Sequence, residues 1–176
     1  LDAIVALFVR LDSDQEGIRH MTLDSFDLAI LEIVQENNLR SHASIGEDVN
    51  LSASSVRRRL TALRDSGVIV ADVSLTDASK RGLTFITSVS FEREDPEIYG
   101  AFRKAMRDET AVSQCYAVSG DFDFVLVVHA ESPEAYEHWG ERALMSNPAI
   151  RRYSTSVVWS RTKFTTRISP AALEAG

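Results

Sequence analysis

The stretch Asn50-Leu51-Ser52-Ala53-Ser54-Ser55-Val56-Arg57-Arg58-Arg59-Leu60-Thr61-Ala62-Leu63-Arg64-Asp65-Ser66-Gly67 decides how this chain is read. It opens with a residue that tolerates positive φ, continues with an apolar plug, and then offers a serine suited to capping a helix. From Ala53 to Asp65 the apolar residues recur at helical spacing, and Gly67 follows as a stop. At about 100° per residue, Val56, Leu60 and Leu63 share one face. Ser54, Arg58 and Thr61 lie opposite them with Ser55 and Ala62 alongside, Arg57 and Arg64 on one flank and Arg59 on the other.

Towards the N-terminus two more short helices precede this one. Asp24 caps a helix to about Asn38 with Ile30, Leu31 and Val34 inward, and Ser41 caps a second to Val49 with Ile45 and Val49 one turn apart. Three helices with a tight turn between the last two form a helix-turn-helix, whose third helix enters the major groove of double-stranded DNA. Ser52, Ser54, Ser55 and Thr61 are short enough to let the backbone close on the groove. Arg58 can hold a guanine with two hydrogen bonds, and Arg57, Arg59 and Arg64 suit phosphates. The competing reading makes the three consecutive arginines a solvated face; the two preceding helices and the capped turn favour DNA. Residues 21–70 carry five arginines against seven acids, so a single copy binds weakly and several copies must act together.

After Gly67 the period changes. Val68–Leu75 alternates weakly, giving a linker strand over 70–81 and a winged-type motif, and Leu83, Phe85, Thr87, Val89 and Phe91 alternate strongly. Pro96 opens a helix to about Asp108, and strands Val112–Ser119 and Phe122–Ala130 are joined through Gly120 and Asp121. Pro133 opens a helix to about Met145, and a last strand runs from Ile150 to about Phe164. The order strand, helix, strand, strand, helix, strand is the ferredoxin-like βαββαβ unit, so the class is α+β. The expected division is an extension over 1–22, a helix-turn-helix over 23–69, the linker, the βαββαβ domain over 82–165, and a tail from 166 that is loose after Arg167. For the extension two readings stand: an upstream or expression-derived segment ahead of Met21, or a short amphipathic helix with Ile4, Phe8 and Leu11 on one stripe.

The chain has 176 residues, 44% of them apolar, and a formal charge of −7, which disfavours a wholly basic nucleic-acid coat but not a local basic patch. The single cysteine, Cys115, fits a reducing cytoplasm and a packing role. The apolar run Ala3–Val9 is far short of the roughly 20 residues of a membrane span, and it lacks the marks of a secretory leader. The four histidines have no metal-ligand spacing, and there is no Gly-rich phosphate loop or nucleophile elbow. The expectation is therefore no metal, no cofactor and no catalysis. An enzyme, or a ligand-binding oligomer whose helices serve only protein contacts, are the rival classes.

With both halves in view the chain resembles the Lrp/AsnC family of leucine- and asparagine-responsive regulators. The resemblance rests on Leu23-Asp24-x-x-Asp27 with Ile30-Leu31, on Leu51-Ser52-x-x-x-Val56-x-x-Arg59-Leu60-x-x-Leu63, on Gly67-Val68-Ile69, and above all on Val118-Ser119-Gly120-Asp121-Phe122-Asp123-Phe124. It implies a homodimer, commonly assembled into tetramers or octamers, that binds an amino acid or similar metabolite between effector domains. The residues it points to are Ser119, Gly120, Asp121 and Asp123 in the turn, with Tyr153 and Thr155 where the family has Thr-x-Thr. Backbone N–H groups of such a turn suit a carboxylate, and an aspartate suits an ammonium; the alternative is a plain hairpin turn. Departures are Tyr153 itself, Ala53 for a usual proline, Asn50 for a usual glycine, and Gly46, expected to loosen the second helix.

Overall fold

Asp24 starts the first helix through a reciprocal capping box. Its carboxylate accepts the backbone N–H of Asp27, and the Asp27 carboxylate accepts that of Asp24. Helix α1 (Ser25–Glu36) is followed by α2 (His42–Val49), capped by Ser41, and α3 (Ala53–Asp65), capped by Ser52. Asn50 stands between them at φ 57° and ψ 43°, the left-handed conformation that bends the chain from α2 into α3. The computed structural model of the chain describes residues 22–77 and 82–169. The N-terminal extension with its Ile4, Phe8 and Leu11 stripe, the end of the linker and residues 170–176 lie outside the described residues.

The inward stripes meet as the helical periods require. Ile30, Leu31, Ile45, Val49, Val56, Leu60 and Leu63 form one buried cluster, with Leu51, Val68 and Ile69 packed against it. Each such side chain contributes about 1.5–3 kcal/mol relative to exposure. Gly46 turns out to be required, which corrects the expectation that it merely loosens α2. It is buried, and a Cβ there would run into the backbone carbonyl of Leu51, which closes over it in the turn.

Past α3 the Ile69 N–H donates to the Leu63 carbonyl, 3.0 Å. Residues 66–77 form no strand, so neither the linker strand expected from 70 nor a wing is made there. An isolated extended segment has no ladder partner to satisfy its backbone. Val70, Val73 and Leu75 are left 91%, 65% and 60% exposed.

The second unit holds β1 (Leu83–Phe91), α4 (Pro96–Asp108), β2 (Val112–Ala117), β3 (Phe124–Ala130), α5 (Pro133–Gly140) and β4 (Ile150–Val157). Its strands form one antiparallel sheet in the order β2-β3-β1-β4, with the two helices over one face. Alternation decides which side chains go inward: Phe85, Val89 and Phe91 from β1, and Phe124, Leu126 and Val128 from β3, meet Phe102 and Met106 of α4 and Tyr136 and Trp139 of α5. Thr87 is also inward and fully buried. Its hydroxyl is satisfied by Tyr136 Oη at 2.8 Å, which in turn meets Thr155 Oγ1 at 2.6 Å. The strands flanking the Gly120 turn are shorter than their apolar runs, α5 continues into a π turn (Glu141–Met145), and the last strand ends at Val157 rather than near Phe164.

By contacts the chain divides into two compact units, Leu75–Thr162 and the remainder, so the segment from Lys163 belongs with the helices. Gln35 brackets the Ile168 backbone, donating to its carbonyl at 3.1 Å and accepting its N–H at 2.7 Å. Arg167 lies within 4 Å of Glu32 and Glu36 at 3.7 and 3.9 Å. The described end of the tail is therefore engaged with α1, not loose.

Candidate nucleic-acid interface and ligand turn

Helix α3 is held from behind and open in front. Val56, Leu60 and Leu63 are buried, whereas Ser52, Ser54, Arg57, Arg58 and Thr61 are exposed and Ser55 half-exposed. The Ser52 hydroxyl accepts the Ser55 N–H and lies 2.9 Å from the hydroxyls of both Ser54 and Ser55, which gathers the three at the helix N-terminus.

The five arginines of residues 22–77 separate into two groups. Arg40 pairs with Asp48 at 2.6 Å, and Arg64 makes a two-point contact with Asp72 at 2.9 and 3.2 Å. Arg59, expected to flank the DNA-reading face, points back to α1. Its Nη1 donates to Asp24 and Asp27, both at 2.8 Å, and its guanidinium lies 5.3 Å from the Phe26 ring centroid. The reason is electrostatic: Asp27 is 3% exposed and a buried carboxylate requires a counter-charge. These contacts raise the Arg59 pKa through the hydrogen bonds to Asp27 and Asp24, and Asp24 is held below its usual range first by the Asp27 N–H and then by Arg59. Arg57 and Arg58 have no hydrogen bond or ion pair among the described residues. Nothing local marks Arg59 out, since its partners lie 32 and 35 residues away.

The Gly120 turn spans Val118–Asp123 between β2 and β3. Gly120 sits at φ 128° with open space where a Cβ would point, and Ser119 and Asp121 are exposed. Asp123 differs from its expected role as receiver of an ammonium. One carboxylate oxygen accepts the Phe91 N–H at 2.7 Å and the other accepts the Tyr99 hydroxyl, so the group is committed to bracing the turn against β1 and α4. Burial and then the Asp123 hydrogen bond drive the Tyr99 pKa well above the ordinary phenol value. Ser90 adds a third brace, donating to the Asp121 carbonyl at 3.0 Å.

Tyr153 pairs with Val89 in the row that also contains Phe124, at the turn's end of the sheet. Its ring packs on the helix-covered core, however, and the Thr155 hydroxyl is occupied by Tyr136. The structure therefore does not bring these two side chains to the turn's open side, because odd-numbered residues of β4 point under the helices. The sequence reading also missed Arg152, which pairs in register with Ser90 and lays its guanidinium 5.2 Å from the Phe122 ring centroid beside Asp121.

The model of the AsnC-type helix-turn-helix domain matches residues 23–64, and that of the Lrp/AsnC ligand binding domain matches residues 84–168. The chain belongs to the Lrp/AsnC family. It is thus a helix-turn-helix transcription regulator with the family's α+β effector domain. An uncharacterized HTH-type transcriptional regulator of Sinorhizobium fredii is 40% identical over 82% of this chain and 87% of its own length. The leucine-responsive regulatory protein of Haemophilus influenzae is 28% identical over 85% and 92%. A Neisseria meningitidis transcriptional regulator solved as its L-methionine complex superposes with a TM-score of 0.78, at 29% identity, covering 84% of this chain and 96% of that one. No described helix is long and apolar enough to cross a membrane.

Proposed function

We propose that this Lrp/AsnC regulator reads double-stranded DNA through Ser54, Arg57, Arg58 and Thr61, and that an amino acid bound at the Gly120 turn biases that reading. The observation that carries the first half is the sorting of the arginines. Three are neutralised in place, while the two on the exposed face of α3 have no partner of their own. Arg58 then reads a base edge and Arg57 a phosphate.

At the turn, Gly120 lets a carboxylate approach the backbone. Asp121 is exposed and carries no side-chain hydrogen bond among the described residues, so it replaces Asp123 as the receiver of the ammonium. Arg152 supplies a cation at the same end of the sheet. Assembly of several copies is supported by the uncovered sheet face, where Ile86 and Tyr116 are 41% and 54% exposed, and by the exposed Trp159 at 96%. A homodimer covering these surfaces, joined into tetramers or octamers, supplies the multiple contacts that a weakly charged reading unit needs.

The test is fluorescence anisotropy on DNA from the chain's own upstream region, with and without each amino acid, over a salt series. Saturable sequence-specific binding that one amino acid shifts supports the reading. Binding that ignores both DNA sequence and every amino acid refutes it.

A further inference from the structure

At the far end of β2 from the Gly120 turn lies a cavity of about 370 Å³ that the reading above does not use. It sits between the C-terminal half of α4 and the start of β2, an edge strand of the sheet. Buried Met106 with half-buried Val112 and Cys115 gives it an apolar wall. Arg103 and Arg107, one turn apart on α4, give it two positive charges, and no acidic side chain lines it. Neither arginine has an ion pair among the described residues, in a chain with 26 acids against 19 bases.

The polar groups are placed rather than merely present. The Arg103 guanidinium lies 5.7 Å from the Phe124 ring centroid, which anchors it at the rim. Ser113 stands where the β2–β3 register shifts, its hydroxyl turned to the Val127 carbonyl at 3.2 Å. The Glu109 carboxylate nearby is already held by Arg142 at 2.6 and 2.9 Å and cannot neutralise Arg107.

We propose that this cavity binds a small carboxylate with a short aliphatic chain and no ammonium group, of which a 2-oxo acid is the representative. Two guanidinium groups match a carboxylate and an adjacent carbonyl oxygen, and the Met106–Val112–Cys115 wall takes the alkyl chain. The amino acid of the same skeleton is rejected, because its ammonium would sit against two cations with no acceptor. The chain thus carries a second ligand site, with selectivity opposite to that of the turn.

The test is calorimetric titration of the full chain with 4-methyl-2-oxopentanoate, leucine and inorganic phosphate, in the parent and in Arg103→Gln and Arg107→Gln. The expected result is saturable binding of the oxo acid, weakened at least about tenfold by either substitution. An excess of leucine should not displace it, and phosphate should bind far more weakly. Cys115 is the only cysteine, so bound oxo acid should also slow its alkylation by iodoacetamide. The proposal is overturned if the oxo acid gives neither heat nor protection, if both variants bind it like the parent, or if phosphate binds as well. Displacement by leucine also overturns it, since the oxo acid then occupies the amino-acid site. None of these results bears on whether an amino acid binds at the turn.

Discussion

Arg59→Ala separates the fold of the helical unit from its DNA contacts. The two bonds of Arg59 Nη1 are equal in length, 2.8 Å, but not in worth. The Asp24 carboxylate is 50% exposed, and solvent screening leaves such a pair little net worth. The Asp27 carboxylate is 4% exposed, and without Arg59 its remaining partner is the Asp24 N–H. Removing one side of a buried pair costs about 3–5 kcal/mol. The surviving capping bond, and water entering the vacated space, lower the expectation to about 2–4 kcal/mol. Arg58→Ala should change stability by no more than about 0.5 kcal/mol while costing about 1–3 kcal/mol at a specific site. Urea unfolding followed by circular dichroism reads the first quantity; anisotropy, under conditions where both variants are folded, reads the second. Asp27→Asn placed in the Arg59→Ala chain should recover part of the loss, since an amide oxygen still caps α1 and an uncharged group is cheaper to bury. The reasoning is refuted if Arg59→Ala leaves stability within about 0.5 kcal/mol and weakens DNA binding as Arg58→Ala does.

Gly46→Ala should destabilise the helical unit by at least about 1 kcal/mol despite the better helix propensity of alanine, because the Leu51 carbonyl must move; thermal unfolding checks the sign. Asp123→Ala should cost the effector unit about 2–3 kcal/mol by orphaning the Phe91 N–H and the Tyr99 hydroxyl, whereas Asp121→Asn should leave stability unchanged and abolish the amino-acid thermal shift. The Asp24 pKa is depressed in the folded chain, so its contribution is present above its unfolded value of about 4 and is lost as pH falls through the folded one. The stability gap between the parent and Arg59→Ala should accordingly hold constant over about pH 5–8 and shrink below about pH 4, measured by urea unfolding across pH. Ile86→Glu, on the uncovered sheet face, should lower the mass found by light scattering; an unchanged mass would place the copy-to-copy contact elsewhere.

The sequence by itself determined what is local. Asp24, Ser41 and Ser52 cap the helices assigned to them, Asn50 takes the left-handed turn, and Val56, Leu60 and Leu63 are the buried face of α3. These features depend on residues within one or two turns of each other, and helical or strand period is enough to show them. The ferredoxin-like unit was legible too, from the alternation of β1 and β3 and the two proline-led helices between strands. What only the tertiary structure decided is which polar side chains are already spent. Arg59, Arg57 and Arg58 are consecutive and chemically identical, yet the first goes to a carboxylate 32 residues away and the other two face outward. Asp121 and Asp123 are two residues apart in one turn, yet only the second, next to β3, meets Phe91 and Tyr99. Gly46, which looks like a weakness in α2, is fixed by a carbonyl from the turn. A period records which face a residue occupies, not what another element presents to it; that partner exists only once the chain has closed.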